Sequence, residues 1–301
     1  FPGVPEYTYV SDILPDKFDE NVVYAAFDNH KRDDFKPYIL KSTDKGRTWQ
    51  SISSNLPDNG TVHTMEQDFI KPELLFVGTE FGAFFSENGG ETWTQLKSGL
   101  PSIAVKDMVI QERESDLVLA TFGRGFYILD DYSPLRQVDN GVLDSAAFIF
   151  PVKDALMYTF RRAKYGQGSM PWFAPNPDFG AIFTYYVKEV PKTLKQERKE
   201  REKELVKEKA PIPIPTMDEL RAEEKEISPY LIFTVTDVEG NVVRKINERM
   251  SKGINRISWN LTYPARGSVR LRNDKYNPLA NDRDGLGVMP GRYYVSMAQY
   301  Y

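Results

Sequence analysis

Apolar and polar side chains alternate over short stretches through residues 21–131 of the chain. These stretches are rich in aromatic and β-branched residues and are bounded by Gly, Pro, Asp and Asn, a pattern typical of short β-strands joined by turns. They recur in three windows with a period of about 40 to 50 residues, which indicates the blades of a β-propeller. The predicted strands are 21–28, 37–43 and 48–53 in the first window, 61–68, 74–80, 82–87 and 92–96 in the second, and 105–112, 116–122 and 123–131 in the third.

Two similar segments, STDKGRTWQ at 42–50 and SENGGETWT at 86–94, occupy corresponding places in the first two windows. Each precedes the last strand of its window, so each is predicted to be a hairpin turn. The Asp or Asn at the third position accepts hydrogen bonds from turn N–H groups, the serine adds an acceptor, and the glycine supplies a positive φ. The tryptophan anchors the turn in apolar surroundings. The matching residues are Ser42, Asp44, Gly46, Thr48 and Trp49 in the first segment and Ser86, Asn88, Gly90, Thr92 and Trp93 in the second.

These segments resemble the Asp-box of BNR-repeat propellers, which occurs in sialidases and in the sortilin (VPS10) family. In those families the box is a structural turn distant from the catalytic centre, so the resemblance implies a structural role. A sugar-binding role for Asp44 or Trp49 is the alternative. Residues 20–137 also resemble the closing blades of a Bacteroidetes-type group of sortilin-like, or glycosyl-hydrolase-like, BNR proteins. That group often has Thr-His-Gly-Arg-Gly where this chain has TFGRG, so Phe122 stands in the place of a histidine and this chain departs from the group there.

The visible blades are too few for a closed ring, because propellers close with about four to eight blades. We therefore expect residues 1–137 to be the C-terminal blades of a longer BNR-type propeller. The alternative is that three blades dock on a partner chain.

The pattern changes after residue 137. Residues 138–178 have little alternation and include a Gly- and Pro-rich stretch, which predicts a connector anchored by Trp172 and Phe173. Alternation returns in residues 179–301, with a hairpin turn predicted at DVEGN. Short alternating strands joined by such turns predict an Ig- or fibronectin-like β-sandwich.

The segment from Gly253 to Tyr263 reads G-x-N-x-x-x-W-x-L-x-Y, and PG-x-Y follows at 290–293. Both motifs resemble the β module that follows the propeller in the same bacterial group. Trp259 is accordingly predicted to be a core residue of the sandwich.

A charged insertion, residues 191–228, interrupts the sandwich. Within it, 192–209 has 13 charged residues in 18, interleaved in sign, which favours an exposed helix with i,i+4 ion pairs. Thr216 and Glu219 predict a capping box that starts a second helix. The insertion is either a solvated arm or a contact site for a partner subunit.

Composition narrows the possible functions. The 301 residues are 41% hydrophobic and carry a net charge of −4, from 39 basic and 43 acidic residues. This balance argues against a general nucleic-acid binder, which needs a positive excess. Cysteine is absent and histidine occurs twice, which excludes disulfides, thiolate catalysis and Cys- or His-rich metal sites. No apolar run approaches the roughly 20 residues of a membrane-spanning helix.

Five candidate site residues fall near the predicted mouth of the propeller channel, and a sixth, Arg113, is the other arginine in a suitable blade position. A glycosidase needs two carboxyls about 5–5.5 Å or about 6.5–9.5 Å apart, and a sialidase-like site also needs arginines for the substrate carboxylate. The sequence shows no complete set. Structural roles are the alternative to functional ones for three of the candidates. His63 is then a packed residue, Glu80 caps a turn, and Arg124 pairs with Asp130 or Asp131. The candidates are Glu66, Glu80 and Asp107 for catalysis and His63, Arg113 and Arg124 for binding.

NDRDGLG at 281–287 places Asn281, Asp282 and Asp284 before a glycine, like part of a calcium loop. No glutamate follows at the distance that would complete such a loop, so an ordinary loop is the competing interpretation. We expect no other cofactor.

The sequence predicts an all-β chain that acts as a non-catalytic binding or scaffold protein for a protein or glycan ligand. The alternative is part of a sialidase-like glycoside hydrolase with most catalytic residues upstream. The resemblance implies a periplasmic, outer-membrane-associated or secreted location.

Overall fold

The computed structural model of the chain describes residues 1–159, 174–267, 277–280 and 282–301. The chain forms two compact units, Phe1–Asp139 and Asn140–Tyr301, each built around antiparallel β-sheets. Among the described residues, no helix has both the length and the apolar composition needed to cross a bilayer. The predicted connector anchors Trp172 and Phe173, and Asn281 of the predicted calcium loop, lie outside the described residues.

Three successive antiparallel meanders make up the first unit. The strand orders are β1-β2-β3-β4, β5-β6-β7-β8 and β11-β10-β9, and the first strand of each meander lies beside the first strand of the next. This arrangement confirms the predicted partial propeller of three blades. The strands are β1 (Tyr9–Pro15), β2 (Val23–Asn29), β3 (Asp34–Ser42), β4 (Gln50–Ser51), β5 (Val62–Gln67), β6 (Leu75–Thr79), β7 (Gly82–Ser86), β8 (Thr94–Leu96), β9 (Val105–Gln111), β10 (Asp116–Thr121) and β11 (Phe126–Leu129).

The innermost strand of the first blade, β1, is not among the predicted strands. Its polar residues break the expected alternation because two of them bond to the neighbouring blade. Ser11 Oγ donates to the Val62 carbonyl oxygen (2.8 Å), and Asp12 Oδ2 accepts from the Met65 amide (2.7 Å). Polar side chains in this strand therefore contribute to the contact between blades, which a pattern of apolar alternation does not detect.

The second blade is buried on both faces. Every residue of β6 and β7 is buried, whereas exposure alternates along β9 and β11 of the third blade. Met65, Leu75 and Val77 of the second blade pack with Tyr24 and Ile39 of the first. Each such large apolar side chain contributes about 1.5–3 kcal/mol when fully buried, so the stack of blades forms the core of this unit.

The first predicted turn joins β3 to β4. Asp44 Oδ1 accepts from the backbone amides of Arg47 (2.9 Å) and Thr48 (2.8 Å), and Asp44 Oδ2 accepts from Thr48 Oγ1 (2.7 Å). Ser42 Oγ accepts from the amide of Gly46, whose φ is +82°. Hydrogen bonds from Thr48 lead the effects that lower the pKa of Asp44 to about 2.

The second turn joins β7 to β8 with an amide in place of the carboxylate, so the hydrogen bond to the threonine hydroxyl runs in the opposite direction. Asn88 Oδ1 accepts from the amide of Thr92 (3.0 Å), and Asn88 Nδ2 donates to Thr92 Oγ1 (2.9 Å). Trp93 is buried and its Nε1 donates to the Ile52 carbonyl oxygen (2.8 Å), so this turn is tied to the loop after β4. Trp49 is only partly buried and bonds within its own turn, to the Gly46 carbonyl oxygen.

Two sheets packed face to face form the second unit, as predicted for a β-sandwich. One has the order β12-β13-β16 and the other β15-β14-β19, with β17-β18 as a separate pair. Phe183 and Tyr185 of β13 lie against Phe233 of β14, with ring centroids 6.1 and 5.0 Å away, and Trp259 is in the same core. The strands are β12 (Ala147–Ile149), β13 (Ala181–Val187), β14 (Tyr230–Thr236), β15 (Val242–Arg249), β16 (Gly253–Trp259), β17 (Thr262–Pro264), β18 (Asp284–Gly287) and β19 (Tyr294–Tyr300).

The predicted connector, 138–178, differs from the structure at its start. It holds a short helix, α1 (Asn140–Asp144), and β12, which pairs with β13. Three residues are too few for alternation to show in the sequence, and the hydrogen bonds to β13 decide the conformation of β12.

The charged insertion forms two helices, α2 (Leu194–Lys207) and α3 (Met217–Lys225), and no residue of either helix is buried. Capping boxes start both, at Thr193 and at the predicted Thr216. Arg198 binds Glu223 with two parallel hydrogen bonds, from Nε (2.5 Å) and Nη2 (3.0 Å), and so links α2 to α3. Ion pairs rather than an apolar face hold the two helices together.

Candidate functional site

A β-bulge occurs at the same place in the innermost strand of each blade. Pairing skips one residue between Val10 and Asp12, between Val62 and Thr64, and between Val105 and Asp107. The residues at the three bulges are Ser11, His63 and Lys106. Because a bulge redirects a side chain and bends its strand, these residues lie in one row at the same end of the three blades.

His63 and Lys106 meet at Glu80, in the turn between β6 and β7. The Nε2 atom of His63 lies 2.8 Å from Glu80 Oε2, and the Nζ atom of Lys106 lies 3.2 Å from the same oxygen. Lys106 Nζ is also 2.9 Å from His63 Nε2. Three ionisable groups from two blades are thus mutually in contact.

Asp28 extends this cluster toward the first blade. One of its oxygens lies 4.0 Å from His63 Nδ1, and both lie within hydrogen-bond distance of His30 Nδ1, at 2.6 and 2.7 Å. Both histidines of the chain therefore lie beside one carboxylate. We call Asp28, His30, His63, Glu80 and Lys106 the histidine cluster.

A pocket of about 550 Å³ opens over the histidine cluster. Three phenylalanine rings, one from each blade, line it: Phe35 is 42% exposed, Phe81 47% and Phe122 73%. The ammonium of Lys106 lies 6.0 Å from the centre of the Phe122 ring, within range of a cation–π contact. Asn59 and Thr61 add polar groups to the wall.

The electrostatics of the cluster favour a neutral imidazole and an ionised carboxylate. Burial lowers the pKa of His63, and the charge of Lys106 lowers it further against the opposing effect of Glu80 and Asp28. Burial alone raises the pKa of Glu80, but its interactions with His63 and Lys106 outweigh this effect, and the pKa lies below its usual value. The lysine charge is thus balanced within the cluster.

Two of the three predicted catalytic carboxylates do not line this pocket. Glu66 lies three residues beyond His63 on β5, about 10 Å along the strand, and pairs with Lys17 Nζ at 3.4 Å. Burial raises the pKa of Glu66, which Lys17 partly offsets. Asp107 follows the third bulge and accepts a hydrogen bond from the Met108 amide. The structure therefore does not bring these two residues to the pocket that Glu80 lines.

The predicted arginines do not complete the site either. Arg113 lies in the turn after β9, at the opposite end of that strand from Lys106, and binds its neighbour Glu114 (3.0 Å). Arg124 is an exposed residue of the turn between β10 and β11 and is not among the residues that line the pocket. Strand direction explains the difference for Arg113, because the two ends of a seven-residue strand are about 20 Å apart.

The predicted calcium ligands have other partners. Asp284 Oδ1 lies 3.2 Å from Nη2 of Arg244, and the same nitrogen donates to the carbonyl oxygen of Asp282 (2.9 Å). The hydrogen bond from Asn260 leads the effects that lower the pKa of Asp284. A guanidinium thus lies beside the Asp284 carboxylate and the Asp282 backbone carbonyl. Across the described ranges no three His, Asp or Glu side chains are grouped to hold a metal.

Lys106, Asp28 and His30 were absent from the predicted site. A repeated pattern in the sequence marks the first of them: Val10-Ser11-Asp12, Val62-His63-Thr64 and Val105-Lys106-Asp107 share a valine before the bulge. The roles of Asp28 and His30 depend on the β2–β3 turn approaching the start of β5, for which the sequence carries no pattern.

The pocket combines apolar rings with a lysine, a carboxylate and an imidazole that already bind one another. Such a site can hold a ligand with an apolar part against the rings and a polar part against Lys106, Glu80 or Asn59. General acid catalysis of glycoside cleavage needs a carboxyl with a raised pKa, and Glu80 has the opposite shift.

Comparison with known proteins yields distant structural similarity. No protein-family model and no curated protein matches the chain. A GH74 enzyme of Niastella koreensis is similar with 23% identity over 40% of this chain and 21% of its own, at a TM-score of 0.34. The GH74 xyloglucanase of Xanthomonas campestris has 14% identity over 42% and 22% at a TM-score of 0.33.

The extracellular domain of a putative one component system from B. thetaiotaomicron has 12% identity over 85% of this chain and 27% of its own, at a TM-score of 0.31. The chain therefore spans about a fifth of the two GH74 structures and about a quarter of this one. Its own strand pairing establishes the partial propeller and the sandwich.

Proposed function

We propose that this chain is part of an extracytoplasmic, non-catalytic binding protein, and that the pocket over the histidine cluster is its ligand site. The proposed location depends on the resemblance of the sequence to bacterial BNR proteins. We further propose the predicted division into propeller blades at 1–137, a connector and a sandwich at 179–301 as the domain organisation of this part of the protein. The boundary between the compact units, after Asp139, is close to the first of these limits.

The exposed rings of Phe35, Phe81 and Phe122 support a binding role. Large apolar side chains exposed together are unfavourable in water and mark sites of interaction. Aromatic side chains are also enriched at the energetically dominant positions of protein interfaces. Here three of them surround one pocket, and each comes from a different blade.

The ionised state of the Glu80 carboxylate is the main observation behind the proposed non-catalytic role. It is the only predicted catalytic carboxylate among the residues that line the pocket, and His63 and Lys106 both hold it ionised. Glu66, the predicted catalytic carboxylate whose pKa is raised, is bound to Lys17 elsewhere on β5. Within the described residues, the groups at the pocket thus favour ligand recognition over glycoside cleavage.

A protein segment is the ligand that this pocket fits best. The rings are phenylalanines, which have no hydroxyl or N–H group for hydrogen bonds to sugar hydroxyls. An apolar side chain between the rings, with its backbone amide or carbonyl against Asn59 or Lys106, would use both parts of the pocket. A glycan is the other ligand, and the experiment below separates the two.

Site-specific photo-crosslinking tests the proposal. p-Benzoylphenylalanine replaces Phe81 in the full-length protein expressed in its native host, and Phe18, equally exposed at 47% but in the β1–β2 turn, is the control position. We expect a discrete crosslinked protein from position 81 that is absent from position 18. The Phe122→Ala change should reduce the yield of that product at position 81 by tenfold or more, since an aromatic anchor that becomes buried in a complex contributes about 2 kcal/mol or more.

Equal products from positions 81 and 18 would contradict the proposed site. If a glycan array labels the protein and Phe122→Ala removes the labelling while no protein crosslinks, the ligand is a glycan. Hydrolysis of oligosaccharides by residues 1–301, lost in Glu80→Gln, would favour the glycoside hydrolase and contradict a non-catalytic role.

The charged insertion is proposed as a second contact site, for a partner subunit. Apolar side chains are exposed within and around its helices, among them Val206, Ile214 and Met217. Exposed apolar side chains that lie together mark candidate sites of interaction. Deleting residues 192–227 should release the partner in size-exclusion chromatography while the circular dichroism of the β-sheets stays unchanged. If the protein lacking residues 192–227 still binds the partner, the insertion is not the contact site.

A further inference from the structure

His63 Nε2 has two close polar neighbours, and the neutral ring cannot form a hydrogen bond with both. Lys106 is an ammonium with three donors and no acceptor, and its Nζ lies 2.9 Å from His63 Nε2. This contact is a hydrogen bond if Nε2 accepts, with the ring proton on Nδ1, which lies 4.0 Å from Asp28 Oδ2. The contact of Nε2 with Glu80 Oε2, at 2.8 Å, is a hydrogen bond if Nε2 carries the proton. With the proton on Nδ1, the Lys106 ammonium bridges Nε2 and Glu80 Oε2, two acceptors that would otherwise repel.

Protonation of the ring reverses these interactions. With a proton on Nε2, the imidazolium donates directly to Glu80 across the same 2.8 Å, and it becomes a second cation 2.9 Å from the lysine. Opposite charges then hold His63 to Glu80, and like charges drive Lys106 away. The cluster thus has two alternative pairings of the same three groups, selected by one proton.

We propose that the neutral His63 ring carries its proton on Nδ1 and that His63, Glu80 and Lys106 form an acid-operated latch, in which protonation of His63 releases the Lys106 ammonium from Glu80 into the phenylalanine-lined pocket. Lys106 is 42% exposed at its side chain and lies above the Phe122 ring, so a path into the pocket exists. No backbone movement is required, because a lysine side chain has several rotatable bonds.

Charged groups face His63 from each neighbouring element. Glu80 comes from the β6–β7 turn, Lys106 from β9, and Asp28 from the end of β2, with His30 beyond it. Asp12, on β1, is engaged by the backbone of β5 at Met65. Burial and Lys106 oppose protonation of His63, and the two carboxylates beside the ring favour it; the net effect lowers its pKa below 6.5. The latch therefore opens on the acid side of neutrality.

The consequence for ligand binding depends on the proposed function, but the latch itself does not. A released ammonium adds a positive charge beside the three rings, where an apolar side chain of the ligand would lie. Because burying an unpaired charge is costly, the affinity for such a ligand should fall as His63 becomes protonated.

Nuclear magnetic resonance of the imidazoles tests the latch without any ligand. The chain has two histidines, so ring spectra of the labelled chain contain two sets of signals, and His30→Asn assigns them. We expect the neutral form of His63 to carry its proton on Nδ1, as read from the ¹⁵N shifts. Its titration midpoint should lie below that of an unperturbed histidine, about 6.5, and the Lys106 Cε signal should shift with the same midpoint.

Variants separate the latch from an ordinary buried histidine. Lys106→Met should raise the midpoint of His63 by about one pH unit or more, and Glu80→Gln should lower it further. Lys45→Met, at the other end of the first blade where Lys45 pairs with Glu20, is the matched control and should leave the midpoint unchanged. A neutral ring protonated on Nε2, or a midpoint insensitive to Lys106→Met, would overturn the latch.

Photo-crosslinking at position 81 tests the consequence. The yield should fall with the His63 midpoint in the wild-type chain and lose this dependence in Lys106→Met. A crosslink that forms equally at all pH values, with the magnetic resonance result as expected, would refute the regulation of binding. No specific crosslink at any pH would instead refute the proposed site and leave the magnetic resonance result to decide the latch.

Discussion

Replacement of Asp68 should open the contact between the second and third blades. This residue follows β5, is fully buried, and accepts from Nε and Nη2 of Arg136 at 3.0 and 2.8 Å and from the hydroxyl of Tyr132 at 2.6 Å. The backbone amides of Ile70 and Lys71 also donate to it, at 2.9 and 2.6 Å. Tyr132 and Arg136 belong to the turn after β11, so one carboxylate joins the end of the third blade to the second.

The geometry sets the size of the effect. Asp68→Ala leaves the Arg136 guanidinium, 15% exposed, and two amides without their acceptor. Breaking a buried ion pair from one side costs about 3–5 kcal/mol. Tyr132→Phe removes one hydrogen bond to a charged group and should cost about 1.5–3 kcal/mol. Asp58→Ala, an exposed loop change in the same unit, should lie within about 0.5 kcal/mol of wild type and is the control.

Hydrogen exchange followed by mass spectrometry is the appropriate assay, because the chain has two compact units and a single unfolding midpoint would mix them. Amides of β9 and β10 should exchange about two to three and a half orders of magnitude faster in Asp68→Ala, since each tenfold corresponds to about 1.4 kcal/mol. Amides of β13 and β14, in the second unit, should be unaffected.

The pH dependence of stability provides a second test of the Asp68–Arg136 pair. Burial alone raises the pKa of Asp68, but the hydrogen bonds from Arg136 and Tyr132 outweigh it, so the folded pKa lies below 3.8. The contribution of the pair is then present above 3.8 and is lost as the pH falls through the folded pKa. The difference in the free energy of opening between wild type and Asp68→Ala should therefore become smaller as the pH falls through that range. A difference below about 1 kcal/mol at neutral pH, or one independent of acid, would refute the reasoning.

Further predictions concern the two similar turns. Trp93→Ala should destabilise the first unit by about 3–5 kcal/mol, and Trp49→Ala by less, because Trp49 is only partly buried; equal losses in chemical denaturation would contradict this. Gly90→Ala should be destabilising, because φ is +96° and the added Cβ would lie 2.8 Å from Ile52 Cδ1; an unchanged hydrogen-exchange rate in the turn would contradict it. The carboxyl carbon of Asp44 should titrate near 2, so a midpoint near the usual value for aspartate would argue against the hydrogen bonds from Thr48.

Repetition in the sequence determined much of the first unit. Aromatic and β-branched alternation, with turn residues at fixed intervals, identifies β5 to β8 because these strands are apolar and regularly spaced. The same reasoning misses β1, where Ser11 and Asp12 bond across blades, and β12, where three residues are too few to show a period. Local pattern identifies an element only where burial alternates along that element.

The candidate site shows more clearly what local sequence pattern cannot predict. Composition and periodicity select His63 and Glu80 as residues near strand ends, but they select Glu66, Asp107, Arg113 and Arg124 on equal terms.

The sequence by itself determined the blades, the two tryptophan turns, the sandwich and the helical insertion, because each follows from local periodicity or from hydrogen bonds within a few residues. Only the tertiary structure decided that two bulged residues from adjacent blades meet at Glu80, and that Asp68 accepts from a turn more than 60 positions away. Contacts of this kind depend on how the sheets stack and where a strand bulges. Interactions between residues far apart in the chain decide both features.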